Sequence, residues 1–332
     1  MAVTIRDVAR AAGVSISTVS RALATPEQVA VATRERVQAI AKEMGYSPDR
    51  SARGLITGRR GNIGLVVPDL ENPFFGSISK GVQERARAAG YGVFIADTDE
   101  DPMLEAEIVL GLSKQVDGIV LCSPRATDGE IERFADQTPI VLANRRIPGI
   151  ASIIFDNRDG MRAALGHLAA LGHTRIAYAG GPTRSWTNGQ RAEAFFRYEN
   201  ESIELIELGN FSPNFAGGVQ AADHAIASGA TGVVAYNDIM ALGVIDRLRQ
   251  RGVDVPREMS VVGFDNVSIS TLVWPNLTTV NVPRLLMGRA SVDALVANVS
   301  GAASADAELL ELPVDLVVRQ STGVVRSSAR TA

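Results

Sequence analysis

Polar and aromatic side chains follow several apolar runs of this sequence, each at the point where the run ends. Carboxylates, amides and a guanidinium can form paired hydrogen bonds with hydroxyl groups, and phenylalanine rings offer flat apolar faces. Taken singly, each of these residues could equally be a core, turn or surface residue. Together they suit a polyhydroxylated ligand such as a sugar. The candidate binding residues are Asp69, Asn72, Phe74, Phe75, Asn144, Arg145, Asn237 and Asp265.

The elements that must position these side chains alternate between apolar runs and amphipathic stretches. NIGLVVPD, YGVFIADTD, VDGIVLCS, PIVLANR and ASIIFDN are bounded by Gly, Pro or Asp and favour strands. The alternation predicts a parallel sheet with helices on both faces. It starts again at RIAYAGGP, so we expect two α/β lobes that meet near Asp159 and again near Asn281. Ligands of such folds lie outside the carboxyl ends of the strands, here between the lobes.

Motifs for catalysis or metal binding are missing from the sequence. It has no GxSxG, no GxxxxGK[ST] and no GxGxxG after the first apolar run. The three histidines, His167, His173 and His224, form no pair at metal-binding spacing on a helix. We therefore expect neither an enzyme nor a protein with a metal or cofactor.

The first 45 residues predict three short helices. TIRDVARAAGV has Thr4 as a helix cap, Asp7 as its capping-box partner and Gly13 as the stop. VSISTVSRAL follows with Ser15 as a cap, and TRERVQAIAKEMGY with Thr33 as a cap. This is the helix-turn-helix order, in which the second helix enters the major groove of DNA.

Charge is distributed unevenly along the chain, whose formal net charge is −4. Residues 1 to 60 hold ten Arg and Lys against five Asp and Glu, whereas the other 272 residues hold 23 against 32. A basic end on an acidic body is typical of a protein that meets phosphate at that end only.

The segment YSPDRSARGLITGRRG connects the basic end to the body. Pro48 blocks continuation of the third helix, Asp49 can cap one or two further helical turns, and Gly58 can end them. So short a helix is unstable alone. It is either a hinge that DNA or a partner chain orders, or a plain linker.

Length and composition place few further limits on the protein. With 332 residues, 46% of them hydrophobic, the chain predicts two or three domains. No apolar run approaches a membrane span, and the N-terminus has no signal-peptide pattern. Cys122 is alone, so no intrachain disulfide is possible. We expect a cytoplasmic protein with no membrane association.

The motif TIRDVARAAGVSISTVSRAL resembles the DNA-binding head of the LacI-type transcriptional regulators, the family of the lactose and galactose repressors. The resemblance continues to about Thr322 through LGHTRIAYAGG, NDIMALGVIDRLRQRGVDVPREMSVVGFDN and LPVDLVVRQST. It implies an α/β protein with a three-helix helix-turn-helix head and a two-lobed, periplasmic-binding-protein-like body.

The resemblance also implies roles for individual residues. Base-reading positions fall on Ile16, Ser17 and Arg21. Phosphate contacts fall on Thr4, Ser15, Thr18, Ser20 and Thr33. Hinge contacts in the minor groove fall on Ala52 and Leu55. Arg191 and Phe211 join the candidate ligand-binding residues.

Several positions depart from the family pattern. Ala24 and Ala30 stand where an amide and a hydroxyl are common, so two phosphate contacts are expected to be missing. Asn144 and Val282 stand where a carboxylate and an amide are common in the ligand pocket. We therefore expect a monosaccharide-sized sugar or polyol and do not assume ribose. Trp274 is a candidate for the rim of the cleft, with a packing role equally open.

The expected domains follow from these boundaries. They are a head at 1–47, a hinge and linker at 48–60, a first lobe at 61–159 with about 284–312, a second lobe at 160–283 with about 313–323, and a tail at 324–332. The tail has no leucine heptads, so a homodimer without a tetramer-forming segment is expected.

The function predicted is a ligand-responsive repressor that binds a pseudo-palindromic operator as a dimer and regulates carbohydrate uptake or catabolism. A purine- or nucleoside-responsive repressor of the same family is the alternative. A solute-binding protein of transport shares the two-lobed fold but should lack the helix-turn-helix, and a sugar-converting enzyme would need a catalytic pair that the sequence does not show.

Overall fold

The computed structural model describes residues 3–24, 26–46, 59–302 and 309–325. The chain divides into two compact units, one ending at Gly61 and the other beginning at Asn62. Most of the predicted hinge, including Ala52 and Leu55, lies outside the described residues.

The first unit consists of three short helices. They are α1 at Ile5–Ala12, α2 at Ile16–Ala24 and α3 at Val31–Glu43, with a turn of 3₁₀ helix at Pro26–Gln28. Val8, Val19 and Val37, one from each helix, are completely buried and form the centre of a small core with Ala22 and Ala41. The predicted helix-turn-helix is confirmed.

The ends of these helices follow the sequence signals with one exception. The backbone N–H and the hydroxyl of Thr4 both donate to Asp7 Oδ2, at 3.0 and 2.6 Å, as the capping box predicts. Gly13, with φ +62°, ends α1. The cap predicted at Thr33 is wrong, because α3 begins at Val31 and its cap is Ala30, three residues earlier, whose methyl side chain cannot accept a hydrogen bond.

The second unit contains two six-stranded sheets. The strands of the first sheet are β1 Asn62–Val67, β2 Gly92–Asp97, β3 Ile119–Cys122, β4 Ile140–Ala143, β5 Ser152–Phe155 and β11 Leu309–Leu312. Those of the second are β6 Arg175–Gly180, β7 Glu204–Asn210, β8 Gly232–Ala235, β9 Ser260–Asp265, β10 Thr278–Asn281 and β12 Asp315–Val317. The orders are β11-β5-β4-β3-β1-β2 and β12-β10-β9-β8-β6-β7. All neighbouring pairs are parallel except β10 and β12, which are antiparallel.

Helices cover the sheets, as the alternation in the sequence predicts. The helices of the first lobe are α4 Pro73–Ala88, α5 Pro102–Leu112, α6 Asp128–Ala135 and α11 Arg284–Ser300. Those of the second are α7 Asn157–Ala170, α8 Trp186–Phe196, α9 Phe215–Ser228 and α10 Asp238–Gln250. Among the described residues, no helix is long and apolar enough to cross a bilayer.

The chain crosses between the two sheets three times. It leaves the first sheet at Asp156, returns at Val282 and leaves again at Pro313. The strand ends β1, β3 and β4 therefore face the strand ends β6, β8 and β9 across a cleft. That cleft holds the site.

Candidate functional site

A narrow cavity of about 20 Å³ lies between the carboxyl ends of the strands of the two lobes. We call it the effector cavity. This volume is room for about one water molecule, so a monosaccharide would require the two walls to separate. The lining residues are Asn72, Phe74, Phe75, Ser123, Arg125, Asn144, Arg191, Pro213, Tyr236, Asn237 and Asp265. Seven of the ten residues expected from the sequence to bind ligand are among them.

Three lining residues have unusual backbone conformations. Ser123, Asn144 and Asp265, at the ends of β3, β4 and β9, have φ values of +47°, +61° and +116°. Residues other than glycine rarely adopt positive φ, and such strain is often found at functional sites. In this protein, the positive φ values accompany three strand-end residues that all line one cavity.

Arg191 of α8 provides the main positive charge of the cavity wall. Its side chain is 2% exposed. Nε donates to Asn157 Oδ1 at 2.9 Å and Nη1 donates to the carbonyl of Tyr236. Nη2 lies 3.8 Å from Asp265 Oδ1, and the guanidinium stacks 3.5 Å from the ring centre of Phe264. The guanidinium is thus fixed on three sides.

Asp265 faces Arg191 with a carboxyl group that is almost completely buried. Burial raises its pKa to about 7, against the opposing effect of the Arg191 and Arg284 guanidinium groups. Behind it, Asp238 accepts hydrogen bonds from the backbone of Val267 and the hydroxyl of Thr279. Burial and the neighbouring Asp265 raise the pKa of Asp238 to about 8. Because the two carboxyls interact, the raised pKa values belong to the pair rather than to either residue.

Asn144 presents an unused acceptor to the cavity. Its Nδ2 donates to Ser123 Oγ at 2.9 Å, but its buried Oδ1 accepts from no described residue. A buried acceptor without a partner costs about 1–3 kcal/mol. A ligand hydroxyl at this place would remove that cost.

The other two cavity asparagines are also the caps of helices. Asn72 Oδ1 accepts from Phe74 N at 3.0 Å at the start of α4, and Asn237 Oδ1 accepts from Met240 N at 2.8 Å at the start of α10. Asn237 Nδ2 donates to the carbonyl of Pro213. These amides are therefore held in place before any ligand arrives.

Aromatic rings supply apolar walls on both lobes. Phe74 and Phe75 pack edge to face with ring centres 4.9 Å apart. Tyr236 lies on the second lobe, and its hydroxyl shares hydrogen bonds with Ser185 and Thr187 at 2.9 and 3.2 Å. A ring-shaped ligand would meet aromatic carbon from both sides.

Arg125 is a cavity residue that the sequence analysis missed. It follows β3 in the segment CSPR, so the search for polar residues after apolar runs could have found it. Its side chain is buried, pairs with both carboxylate oxygens of Glu100 at 2.5 and 2.9 Å, and donates to the carbonyl of Ser123 at 2.7 Å. Arg125 also lines a wider outer cleft of about 400 Å³, together with Arg184 and Phe211.

Three residues expected at the site lie elsewhere. Arg145 does not line the cavity, because its guanidinium donates to the carbonyl of Pro124 and to Asp128 at 3.1 and 2.5 Å. Asp69 accepts from Glu71 N in its own turn. Phe211 lines the outer cleft. Trp274, a candidate for the rim, is 80% exposed and lines neither the effector cavity nor the outer cleft.

The loop that carries Arg125 depends on a buried carboxylate. Glu105 of α5 is 1% exposed and accepts from the backbone N–H groups of Arg125 and Ala126 at 2.8 and 2.9 Å. We expect Glu105→Ala to lower the free energy of unfolding by about 2–4 kcal/mol, because two buried donors lose their acceptor. Urea unfolding of Glu105→Ala and Glu105→Gln measures this. The glutamine variant keeps one acceptor and should lose about half as much, and equal losses would contradict the assigned role.

The first unit exposes a polar surface on α2. Ile16, Ser17 and Arg21 are exposed on this helix. Arg21 Nε donates to the carbonyl of Ser17 at 3.3 Å. Ser15, just before α2, accepts from Thr18 N at 3.1 Å, and Thr4 precedes α1. Thr18, Ser20 and Thr33 are partly exposed. The residues expected to contact bases are therefore accessible in the first unit.

Comparison with known proteins shows which family this chain resembles. Residues 4–49 match the family model described as bacterial regulatory proteins, lacI family, and residues 165–322 match a periplasmic binding protein-like domain. The transcriptional regulator DegA of Bacillus subtilis is 35% identical, across 97% of this chain and 98% of its own length.

The chain belongs to the lacI family. It is a DNA-binding transcriptional regulator, as the resemblance in its head predicts. A similar solved structure is that of a lac repressor dimer bound to operator and the anti-inducer ONPF, with a TM-score of 0.85 and 29% sequence identity. The match covers 97% of this lacI-family chain and the whole of the lac repressor chain. A LacI family regulator from Enterococcus faecalis with bound ribose covers 80% with a TM-score of 0.73, at 26% identity, also over its full length.

Proposed function

We propose that this lacI-family regulator is a repressor of carbohydrate uptake or catabolism genes that responds to a small sugar or polyol in the effector cavity. In this proposal the protein is a cytoplasmic homodimer without enzymatic activity, and each head binds half of a pseudo-palindromic operator. Symmetric heads and symmetric half-sites are the usual geometry of helix-turn-helix regulators.

The composition of the effector cavity supports a sugar. Its wall combines a fixed guanidinium at Arg191, a carboxyl at Asp265 and the unpartnered acceptor Asn144 Oδ1 with aromatic carbon. Donors and acceptors placed around apolar faces are what a polyhydroxylated ring requires. The observation that carries the proposal is the buried, unpartnered Asn144 Oδ1, because it marks a place for a hydroxyl donor. Among similar proteins, the structure of the lac repressor holds the anti-inducer ONPF, and that of the Enterococcus faecalis regulator holds ribose.

The exposed face of α2 supports direct contact with DNA bases. An arginine can form paired hydrogen bonds with guanine, and Ile16 offers an apolar contact for a thymine methyl group. Ser15, Thr18 and Thr4 carry hydroxyls suited to phosphate oxygens. We assign the same residues to operator binding that the sequence resemblance suggests.

The proposal is tested in two steps with the full-length protein. Selection from a random pool of DNA duplexes should recover a pseudo-palindrome, and thermal-shift screening against monosaccharides, polyols, nucleosides and sugar phosphates should show stabilisation by a sugar or polyol. Recovery of asymmetric sites would contradict the dimeric operator. Stabilisation only by nucleosides or sugar phosphates would contradict the sugar assignment and leave the regulator intact.

The effector affinity is expected to weaken as the pH falls from about 8 to about 6. Since the pKa of Asp265 is about 7, against an ordinary 3.8, acidification protonates this acceptor. The stability of the free protein should change in the opposite direction. A raised carboxyl pKa means that the folded state binds protons more tightly, so its stability is greatest at low pH and is lost as the pH rises through 7.

Calorimetric titration and thermal melting across this pH range measure both trends. Asp265→Asn is the control for the melting curves, since it removes one of two carboxyls with a raised pKa and should reduce the dependence of stability on pH, while Asp238 keeps the remainder. An effector affinity that does not change between the two pH values would contradict the role of Asp265 as an ionised acceptor.

A further inference from the structure

We propose that this protein has a second binding site for a neutral sugar or polyol, in a separate cavity behind the first crossover between the lobes. This back cavity has a volume of about 160 Å³. Six of its lining residues carry the argument: Arg146, Asn157, Arg158, Trp186, Gln190 and Glu311. The inference does not rest on the proposed regulatory function.

The back cavity shares a wall with the effector cavity. Phe155 lines the back cavity, and its ring packs against Phe74 of the effector cavity with centres 6.3 Å apart. Asn157 also lines the back cavity, and its Oδ1 accepts from Arg191. The segment from residue 155 to residue 158 therefore separates two cavities that have no lining residue in common.

The chemistry of the back cavity suits a hydroxylated ring. Trp186 is half-buried and offers a flat apolar face, and Gln190, one turn along α8, adds an amide. Arg146 and Glu311 line the cavity, both are exposed, and neither forms an ion pair with a described residue. A cavity with so many polar groups does not stay dry, so it holds either water or a ligand.

The charges favour a neutral ligand over an anion. Arg158 already pairs with Glu193 at 3.0 Å, and Asp156 accepts from Asp159 N at 2.8 Å. Arg146 then remains as the unpaired cation of the lining, against the carboxylates of Glu311 and Asp156, neither of which pairs with a described cation. Hydroxyl groups can donate to a carboxylate and accept from the guanidinium, whereas an anion would be repelled by Glu311.

A ligand in the back cavity would affect the effector cavity through the side chain of Asn157. Asn157 donates from Nδ2 to the carbonyl of Phe155 at 3.1 Å and holds Arg191 through Oδ1. A ligand that binds Asn157 changes the support of the guanidinium that faces the effector. Because coupling between two sites is reciprocal, each ligand would then alter the affinity of the other by the same factor.

Tryptophan fluorescence of the full-length protein tests the site directly. The chain has two tryptophans, so Trp274→Phe leaves Trp186 as the only emitter. D-glucose, D-ribose and D-glucitol are the probes, and Asp265→Ala is added to disable the effector cavity. Asp265→Asn replaces it if the alanine variant does not fold. We expect at least one probe to change Trp186 emission to saturation in both backgrounds.

Matched arginine variants localise the signal. Arg146→Ala should weaken the affinity of the probe, measured from Trp186 emission, about tenfold, as expected for one lost charge-assisted hydrogen bond. Arg162 is exposed and lies outside the cavity, so Arg162→Ala should leave this affinity unchanged. Loss of the response with Asp265→Ala or Asp265→Asn in a folded protein would overturn the proposal, because Trp186 would then report on the effector cavity alone. Absence of a saturable response to all three probes, or a response to sugar phosphates only, would overturn it as well.

Discussion

Replacing Arg191 with alanine is expected to abolish effector binding. The guanidinium is buried in the cavity wall, is oriented by Asn157 and Tyr236, and lies beside Asp265. Hydrogen bonds to charged groups contribute about 1.5–3 kcal/mol each, so the loss of two to the ligand reduces affinity by about two orders of magnitude or more. Calorimetric titration with the sugar or polyol found by screening measures the loss.

Arg145→Ala is the matched control for Arg191→Ala. Both arginines are buried, but Arg145 binds Pro124 and Asp128 and does not line the cavity. We expect Arg145→Ala to lower stability while changing effector affinity less than about threefold, within the range of an indirect effect. Equal losses of affinity in the two folded variants would contradict the placement of Arg191 at the ligand.

Replacing Arg21 with alanine is expected to weaken operator binding by about 1–3 kcal/mol and to relax the preference at one base position, if Arg21 forms a paired contact with guanine. The residue is exposed on α2 beside Ser17, where a helix in the major groove would present it to base edges. Binding titrations against the selected duplex and its single-base variants, at fixed salt, measure both effects.

Arg10→Ala serves as the control for Arg21→Ala. Arg10 lies on α1, is highly exposed and pairs weakly with Asp7 at 3.6 Å. Its removal should weaken binding to all duplexes by a similar small factor, since it can offer only a general electrostatic attraction. If Arg21→Ala also weakened all duplexes uniformly, Arg21 would be a phosphate contact rather than a base contact.

The fold was predictable in outline because its signals are local. Strand runs bounded by Gly, Pro or Asp and the capping box of Thr4 and Asp7 depend on residues close in sequence. The start of α3 was mispredicted because Thr33 is a better cap in isolation than Ala30. The antiparallel pairing of β12 with β10 joins residues far apart in the chain, and no local pattern specifies its direction.

The candidate site was predictable to the extent that strand ends determine it. Asn144 and Asp265 were found because each directly follows a buried run. The neighbouring Arg145 follows the same run but turns away, because Asp128 and the carbonyl of Pro124 bind its guanidinium. Such long-range pairing cannot be inferred from spacing.

The remaining cavity residues show the same limit. Arg125 is held by Glu100 and Glu105, 25 and 20 residues earlier in the chain, and Tyr236 is fixed by Ser185 and Thr187. Their side chains reach the cavity only because these distant partners restrict them. Folding the chain brings these partners together, and the sequence alone does not reveal them.

The central claim is that one chain couples a small ligand in the effector cavity to DNA binding by its head. The most direct measurement is the affinity of the full-length protein for the selected duplex, by fluorescence anisotropy, with and without a saturating amount of the sugar or polyol found by screening. We expect the ligand to change the duplex affinity about fivefold or more, and the duplex to change the ligand affinity by the same factor. Identical affinities with and without ligand would contradict the claim and leave two independent binding activities.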